Sequence, residues 1–186
     1  MQRPPDFTGS YLTRFRQVWL RHGLPGALLG LLCLAHPEMR LMLEASLHAL
    51  LSDPVKYLGG ALLILGVLIS YVWLVDHALD ARAVGWVLYA LAISVWEEWV
   101  FRLAVPYFAQ AQGANLLVAV VLSNLVFGVL HYFTLRWKWQ WCFGAFVGGM
   151  LFSRMLHTHS DLALVIAVHW ISTFLNTPRP PGVPTR

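Results

Sequence analysis

The sequence predicts an all-α fold, a polytopic transmembrane helical bundle of about six spans. Three observations predict it. Hydrophobic residues make up 58% of the 186 and charged residues only 12%, where a soluble domain carries about 25% charged residues. The apolar residues fall in runs separated by short polar stretches, several of them near the ~20 residues that a helix needs to cross hydrocarbon. Lys and Arg gather at the chain ends and in short loops, as the positive-inside rule requires. Mean hydropathy is +0.62 and the isoelectric point near 9.4. Basic residues placed in this way belong to membrane topology and give no reason to expect nucleic acid. Cys33 and Cys142 lie in apolar runs without metal-ligand spacing and read as buried thiols. No cleavable signal peptide is evident.

Residues 1–23 form a basic lead-in with Arg3, Arg14, Arg16 and Arg21, its first residues a flexible tail around Pro4 and Pro5. Residues 24–82 are N-terminal membrane segments. In the first of them, 24–51, Arg40, Glu44 and His48 recur at i, i+4, i+8 and make one polar stripe. That stretch is either one span kinked at Pro37 with its stripe turned inward, the favoured alternative, or a half-span followed by an interfacial helix. Val55 to Val75 is a clean span, in which Gly59, Gly60 and Gly66 would allow close helix approach. After the loop Asp76–Arg82, residues 83–176 hold the remaining spans. Ala83 begins a run that Pro106 kinks and that turns at 111–115. Asn115 to Phe133 follows, then a loop with Arg136 and Lys138 among tryptophans. A glycine-bearing helix from Trp141 and a short last helix, Leu162 to Asn176, complete the set. The tail 177–186 is Pro-rich and reads as disordered. With six crossings and a cytoplasmic amino terminus, nine of the thirteen Lys and Arg fall on the cytoplasmic side.

The chemistry concentrates in Trp96-Glu97-Glu98-Trp99-Val100-Phe101-Arg102, inside an apolar run. A charged side chain at the centre of a bilayer costs at least about 2.5–3.5 kcal/mol, so such groups face a protein interior and pair. Glu98 and Arg102 stand at i, i+4 and suit an intrahelical ion pair. Glu97, about 100° away around the helix, is then the free carboxylate. His131 can meet it. Glu97 lies fourteen residues before Ala111 and His131 sixteen after Asn115, so at about 1.5 Å per residue both lie roughly 20–25 Å below one turn. His169 is only eight residues past Asp161. It reaches that depth only if its loop dips inward or its helix tilts. Thr173 and Asn176 follow it at i+4 and i+7 on the same face. A buried carboxylate beside imidazoles can act as general base on water, with His, Thr or Asn donating to an oxyanion. The same groups, Glu97, His131 and His169, could instead hold a divalent metal such as zinc, although no HExxH is present.

Glu97-Glu98-x-x-Phe101-Arg102, then Phe127-x-x-x-His131, then His169 in a short helix after a Gly-rich one, resembles the CPBP intramembrane proteases. This family is also called Abi and includes the CAAX prenyl endopeptidases. The resemblance covers roughly Trp86 to Asn176, about half the chain. It implies a four-helix catalytic core with Glu97 as the water-activating base, Glu98 and Arg102 as a supporting pair, and His131 and His169 completing the site. Phe127 packs against it. The family's last motif is HxxxN or HxxxD, whereas here the position is Thr173, with Asn176 one turn later. Thr173 or Asn176 therefore stands in for the usual oxyanion donor. The resemblance implies either a metal-dependent or a glutamate-based reaction; the latter is favoured, with no cofactor.

The expected activity is endoproteolysis near the carboxyl-terminal end of a membrane-associated protein. The substrate would carry a sorting or anchoring helix, a bacteriocin-type peptide or a CAAX end. The expected setting is the lipid bilayer, a bacterial inner membrane, with the amino terminus cytoplasmic. The alternatives are a catalytically silent scaffold or immunity protein of the same family, supported by Thr173, and an ion pathway through Glu97, for which no inverted repeat speaks. A lone membrane histidine is ordinarily a satisfied polar group, and His22, His36, His48, His77, His157 and His159 have no motif context to raise them above that.

Overall fold

The computed structural model describes residues 15–77 and 79–176. The expected flexible tail around Pro4 and Pro5 and the expected disordered tail 177–186 lie outside the described residues. The described residues form eight helices and no strand. In chain order these are α1 Phe15–Cys33, α2 Pro37–Ser46, α3 His48–Ser52, α4 Pro54–Leu74, α5 Ala81–Ala111, α6 Leu116–Thr134, α7 Trp139–His159 and α8 Leu162–Asn176.

Four of them begin on a side-chain cap that satisfies an otherwise orphaned N–H. Asp53 accepts from Lys56 N at 3.2 Å, Asp80 from Ala83 N at 2.7 Å, Asn115 from Val118 N at 2.9 Å, and Asp161 from Leu164 N at 3.0 Å. α7 stops at Ser160, whose φ of 51° is left-handed.

α4, α5 and α6 are long and apolar enough to cross a membrane, and α1 with α2 adds a fourth candidate if that bent pair is one span. Of the six expected spans, α7 and the 15-residue α8 are not among these candidates. The first segment differs from expectation. Its helix begins at Phe15, inside the basic lead-in, and the chain turns 106° between α1 and α2. Pro37 opens α2 after an extended His36, so the helix is broken there and not merely kinked. Arg40, Glu44 and His48 are exposed, and the face of α2 that is buried carries Met39. The stripe therefore turns outward, and the apolar side of α2 covers the core.

α5 is the centre of the bundle. In its apolar window 56% of the residues are buried inside the protein, against 11% for α4. Two apolar clusters stack along it. One holds Ala83, Val87 and Ala90 of α5 with Leu68 and Val72 of α4 and Trp170 and Phe174 of α8. The other holds Trp99–Phe101, Leu103 and Ala104 with Met39, Phe127, Leu162 and Val165. The buried polar residues Ser94, Glu97 and Glu98 lie between the two clusters along the helix. The bundle thus encloses one polar layer between two apolar ones.

Glycine spacing suggests close packing by α4, and the structure differs. A Cβ at Gly59, Gly60 or Gly66 would meet nothing within 4 Å, because those positions face away from the bundle. The close approaches are elsewhere. A Cβ at Gly128 would lie 2.7 Å from the Cys142 carbonyl of α7, and one at Gly26 of α1 would lie 2.2 Å from the Trp96 ring.

Candidate active site

Glu97 and Glu98 end the regular α-helical part of α5, and a π-helical turn follows at Trp99–Ala104. Its cause is two residues beyond: Pro106 has no N–H for the Arg102 carbonyl, and its ring crowds that position. Widening the preceding turn accommodates it. The Phe101 carbonyl within this turn accepts a 2.6 Å hydrogen bond from Ser123 Oγ of α6. π-helical turns of this kind recur at functional sites.

Glu98 and Arg102 form the expected pair, fully buried. Arg102 Nη2 donates to Glu98 Oε1 at 3.0 Å, and Nε lies 3.0 Å from Oε2. The rest of the guanidinium is also bound. Nη1 donates to Asn124 Oδ1 at 3.0 Å, and Asn124 Nδ2 in turn donates to the Val120 carbonyl and to Ser153 Oγ, each at 2.9 Å. The plane lies 4.6 Å from the Phe127 ring centre, a cation–π contact. Phe127 therefore supports Arg102 as well as His131, whose ring it meets edge-on at 4.6 Å.

Glu97 is 2% exposed. His131 Nε2 lies 3.8 Å from its Oε1, and His169 Nε2 lies 3.6 Å from its Oε2. The two predicted imidazoles thus meet the predicted carboxylate. His169 reaches it because its helix starts deep: Leu162 and Val165 share a core cluster with Val100, Leu103 and Ala104. The 160–161 turn therefore dips to the level of the π-helical turn. His169 also touches the second carboxylate, with Nδ1 2.6 Å from Glu98 Oε1, a close ionic contact without the alignment of a hydrogen bond. Thr173 is half buried one turn further along α8, and Asn176 is exposed at its end.

His22, which has no motif context in the sequence, joins this site. It is buried, and its Nε2 lies 3.0 Å from Glu97 Oε1, within hydrogen-bond reach. It comes from a second π-helical turn, Trp19–Gly23, in α1. Its neighbour Arg21 holds that turn on the carboxyl-terminal end of α6, donating to the carbonyls of Phe133 at 2.7 Å and Thr134 at 3.1 Å. One signal could have found it. Gly23, Gly26 and Gly30 stand at i, i+3 and i+7 and mark the face of α1 that packs on α5, and His22 shares that face through Gly26 at i+4.

All three rings are oriented alike. His22 Nδ1 lies 3.0 Å from Thr134 Oγ1, whose own proton goes to the Leu130 carbonyl at 2.8 Å. His131 Nδ1 donates to the Phe127 carbonyl at 2.8 Å. His169 Nδ1 faces a carboxylate oxygen. The Phe127 carbonyl can only accept, so His131 Nδ1 carries a proton, and the Nε2 of each ring lies on the Glu97 side. Such outer partners fix metal-ligating histidines in the same way. One ligand atom each from His22, Glu97 and His131 lies within 4.8 Å of the others. Two imidazoles and a carboxylate suit a catalytic zinc with an open position, so these residues fit a divalent cation. The set differs from the expected one by having His22 in place of His169.

The family model described as type II CAAX prenyl endopeptidase Rce1-like matches residues 78–175, just over half of the chain. The chain belongs to this Rce1-like family. Membership brings peptidase activity at a membrane as the general expectation, and the long apolar helices agree with an integral membrane protein. Searches of curated proteins and of solved structures found no match. The matched segment contains Glu97, Glu98, Arg102, Phe127, His131 and His169, and α1 with His22 lies before it.

Proposed function

We propose that this Rce1-like protein is an intramembrane endopeptidase that hydrolyses a peptide bond near the carboxyl-terminal end of a membrane-associated protein. One observation carries the reading: a buried carboxylate, Glu97, with the Nε2 atoms of His131 and His169 at 3.8 and 3.6 Å and apolar clusters on either side. Glu97 takes a proton from water as the water oxygen attacks the scissile carbonyl. His131 and His169 face the same point and stabilise the oxyanion and the attacking water. Glu98 and Arg102 hold α5, α6 and His169 in register, so their role is positioning. The catalytic unit is residues 83–176, with 24–82 as accompanying membrane segments.

The substrate is a membrane-associated chain with a prenylated CAAX-type end, a carboxyl-terminal sorting or anchoring helix, or a bacteriocin-type peptide. The amino terminus is cytoplasmic, from the distribution of Lys and Arg, and a bacterial inner membrane is the proposed setting. The testing experiment is cleavage in proteoliposomes with prenylated peptides and single-span tails, comparing wild type with Glu97→Gln. Loss of cleavage in a variant that still folds supports the reading, and retained cleavage sinks it. The rival in that test is a silent scaffold of the same family, which cleaves nothing.

A second reading is favoured by the convergence of His22, Glu97 and His131. In it these three hold a divalent cation, which when bound supplies a Lewis acid that polarises water. Chelation separates the two readings.

A further inference from the structure

We propose that Trp137, in the loop between α6 and α7, is the surface against which the substrate side chain next to the scissile bond packs, and so determines which sequences this site cuts. The inference rests on the peptidase reading above and holds whether Glu97 or a bound cation activates the water.

The cover over the site thins in one direction. Its carboxylates and imidazoles are all buried. Along α6 the residues before His131 stay covered, with Asn124, Phe127 and Gly128 buried. Past His131 the cover is thinner: Thr134 and Trp137 are half-buried, and Arg136, Lys138 and Trp139 are exposed. The face of α8 that carries His169 repeats the trend, from buried Leu162 and Val165 to half-buried Thr173 and exposed Asn176. The least covered approach to Glu97 is therefore from the side of loop 135–138. Two cations and an exposed tryptophan there are the composition of a membrane–water boundary.

Trp137 stands on that approach. Arg136 before it has a left-handed backbone, φ 59°, uncommon for a residue that bears a Cβ. The turn folds the chain back, and the Trp137 N–H donates to the His131 carbonyl at 3.4 Å. The indole then lies against the His131 imidazole, ring centres 4.7 Å apart and planes tilted by 48°. Phe127 meets the same imidazole at 4.6 Å, but it is buried and also packs on Arg102. Of the two rings on His131, the indole is the one with surface left for a substrate. His131 Nε2 lies 3.8 Å from Glu97 Oε1. A peptide carbonyl held at this pair has flanking Cα atoms only about 3.8 Å apart, so the side chain on one of them falls against the ring that covers His131. A large flat indole in that place offers apolar contact and limits size. That Trp137 only anchors its loop, or only props His131, is the bland reading. It predicts one factor of loss for every substrate.

The experiment uses full-length protein in proteoliposomes and a set of prenylated peptides and single-span tails. In each, the residue before the scissile bond, and separately the residue after it, is set to Ala, Leu or Trp. If Trp137 is that surface, Trp137→Ala raises the ratio of kcat/KM for the Trp peptide over the Ala peptide by about 10-fold or more at one of the two positions, because the lost indole leaves room. Trp137→Phe shifts the ratio the same way by about 3-fold. Trp139→Ala, at a position 70% exposed, leaves it as in wild type. Cleavage of the Trp peptide by Trp137→Ala also reports that the variant is folded; if that variant cuts nothing, the ratio in Trp137→Phe decides. An unchanged ratio at both positions, however far the overall rate falls, would overturn the role of Trp137 and leave the peptidase reading intact. Loss of all cleavage in both variants would overturn it too, because a residue that selects substrates is not required for the reaction itself. A wild type inert toward every peptide would sink the peptidase reading, and this role with it.

Discussion

Gly149 of α7 leaves room for the Asn124 side chain of α6: a Cβ built on it would lie 2.2 Å from Asn124 Oδ1 and 3.4 Å from Arg102 Nη2. That oxygen accepts from Arg102 Nη1. The glycine is thus what lets two helices close around the guanidinium. Gly149→Ala should displace Asn124 and leave a donor of a buried Arg unpaired, costing about 1–3 kcal/mol. The apparent Tm in detergent should fall and cleavage with it, whereas Gly148→Ala, where nothing lies within 4 Å, should leave both nearly unchanged.

The Glu98–Arg102 pair should show the asymmetry of buried ions. Arg102→Met leaves a carboxylate without its cation and should destabilise by about 3–5 kcal/mol. The double variant Glu98→Gln/Arg102→Met removes both charges and should recover much of that loss. Chemical denaturation of the three proteins in one detergent measures it. Full recovery of stability without recovery of cleavage would fit the positioning role assigned to the pair.

The contact of α1 with α5 should be far more sensitive than the surface of α4. A Cβ at Gly26 would stand 2.2 Å from the Trp96 ring, and overpacking of this kind costs about 1–3 kcal/mol. Gly26→Ala should therefore lower the Tm and shift α1, and cleavage should drop because His22 moves with it. Gly59→Ala and Gly60→Ala meet nothing. They should be neutral, or stabilising by up to about 1 kcal/mol through helix propensity. Paired thermal melts check the contrast.

Metal removal should leave activity in place if Glu97 works as the base on water. Dialysis against a strong chelator, followed by assay and by metal analysis of the protein, tests it. Activity lost on chelation and restored by zinc would assign His22, Glu97 and His131 as ligands instead.

Much of this architecture could be read locally. The EExxFR spacing sets Glu98 on Arg102, since i, i+4 residues share a helix face wherever the helix lies. The common depth of Glu97 and His131 follows from helix rise and one turn between them. Family membership was legible in the same residues, because a few ionisable groups in apolar runs are conspicuous.

Other features are hinted at locally at most: the glycine face of α1 marks the side on which His22 lies, not what it meets. His22 is 75 residues from Glu97, and nothing in its own neighbourhood says that Arg21 will seat it against the end of α6. The sharp bend before Pro37 and the outward turn of Arg40, Glu44 and His48 depend on which side of α2 finds the core at Met39. Glycines read alike in every helix, yet only those opposite a neighbour, such as Gly26, Gly128 and Gly149, allow close packing, while Gly59, Gly60 and Gly66 face none. Local sequence governs backbone period, caps and pairs one turn apart. Which distant side chain enters a polar layer, and which face meets another helix, is decided by packing among helices, and there the tertiary structure supplied His22.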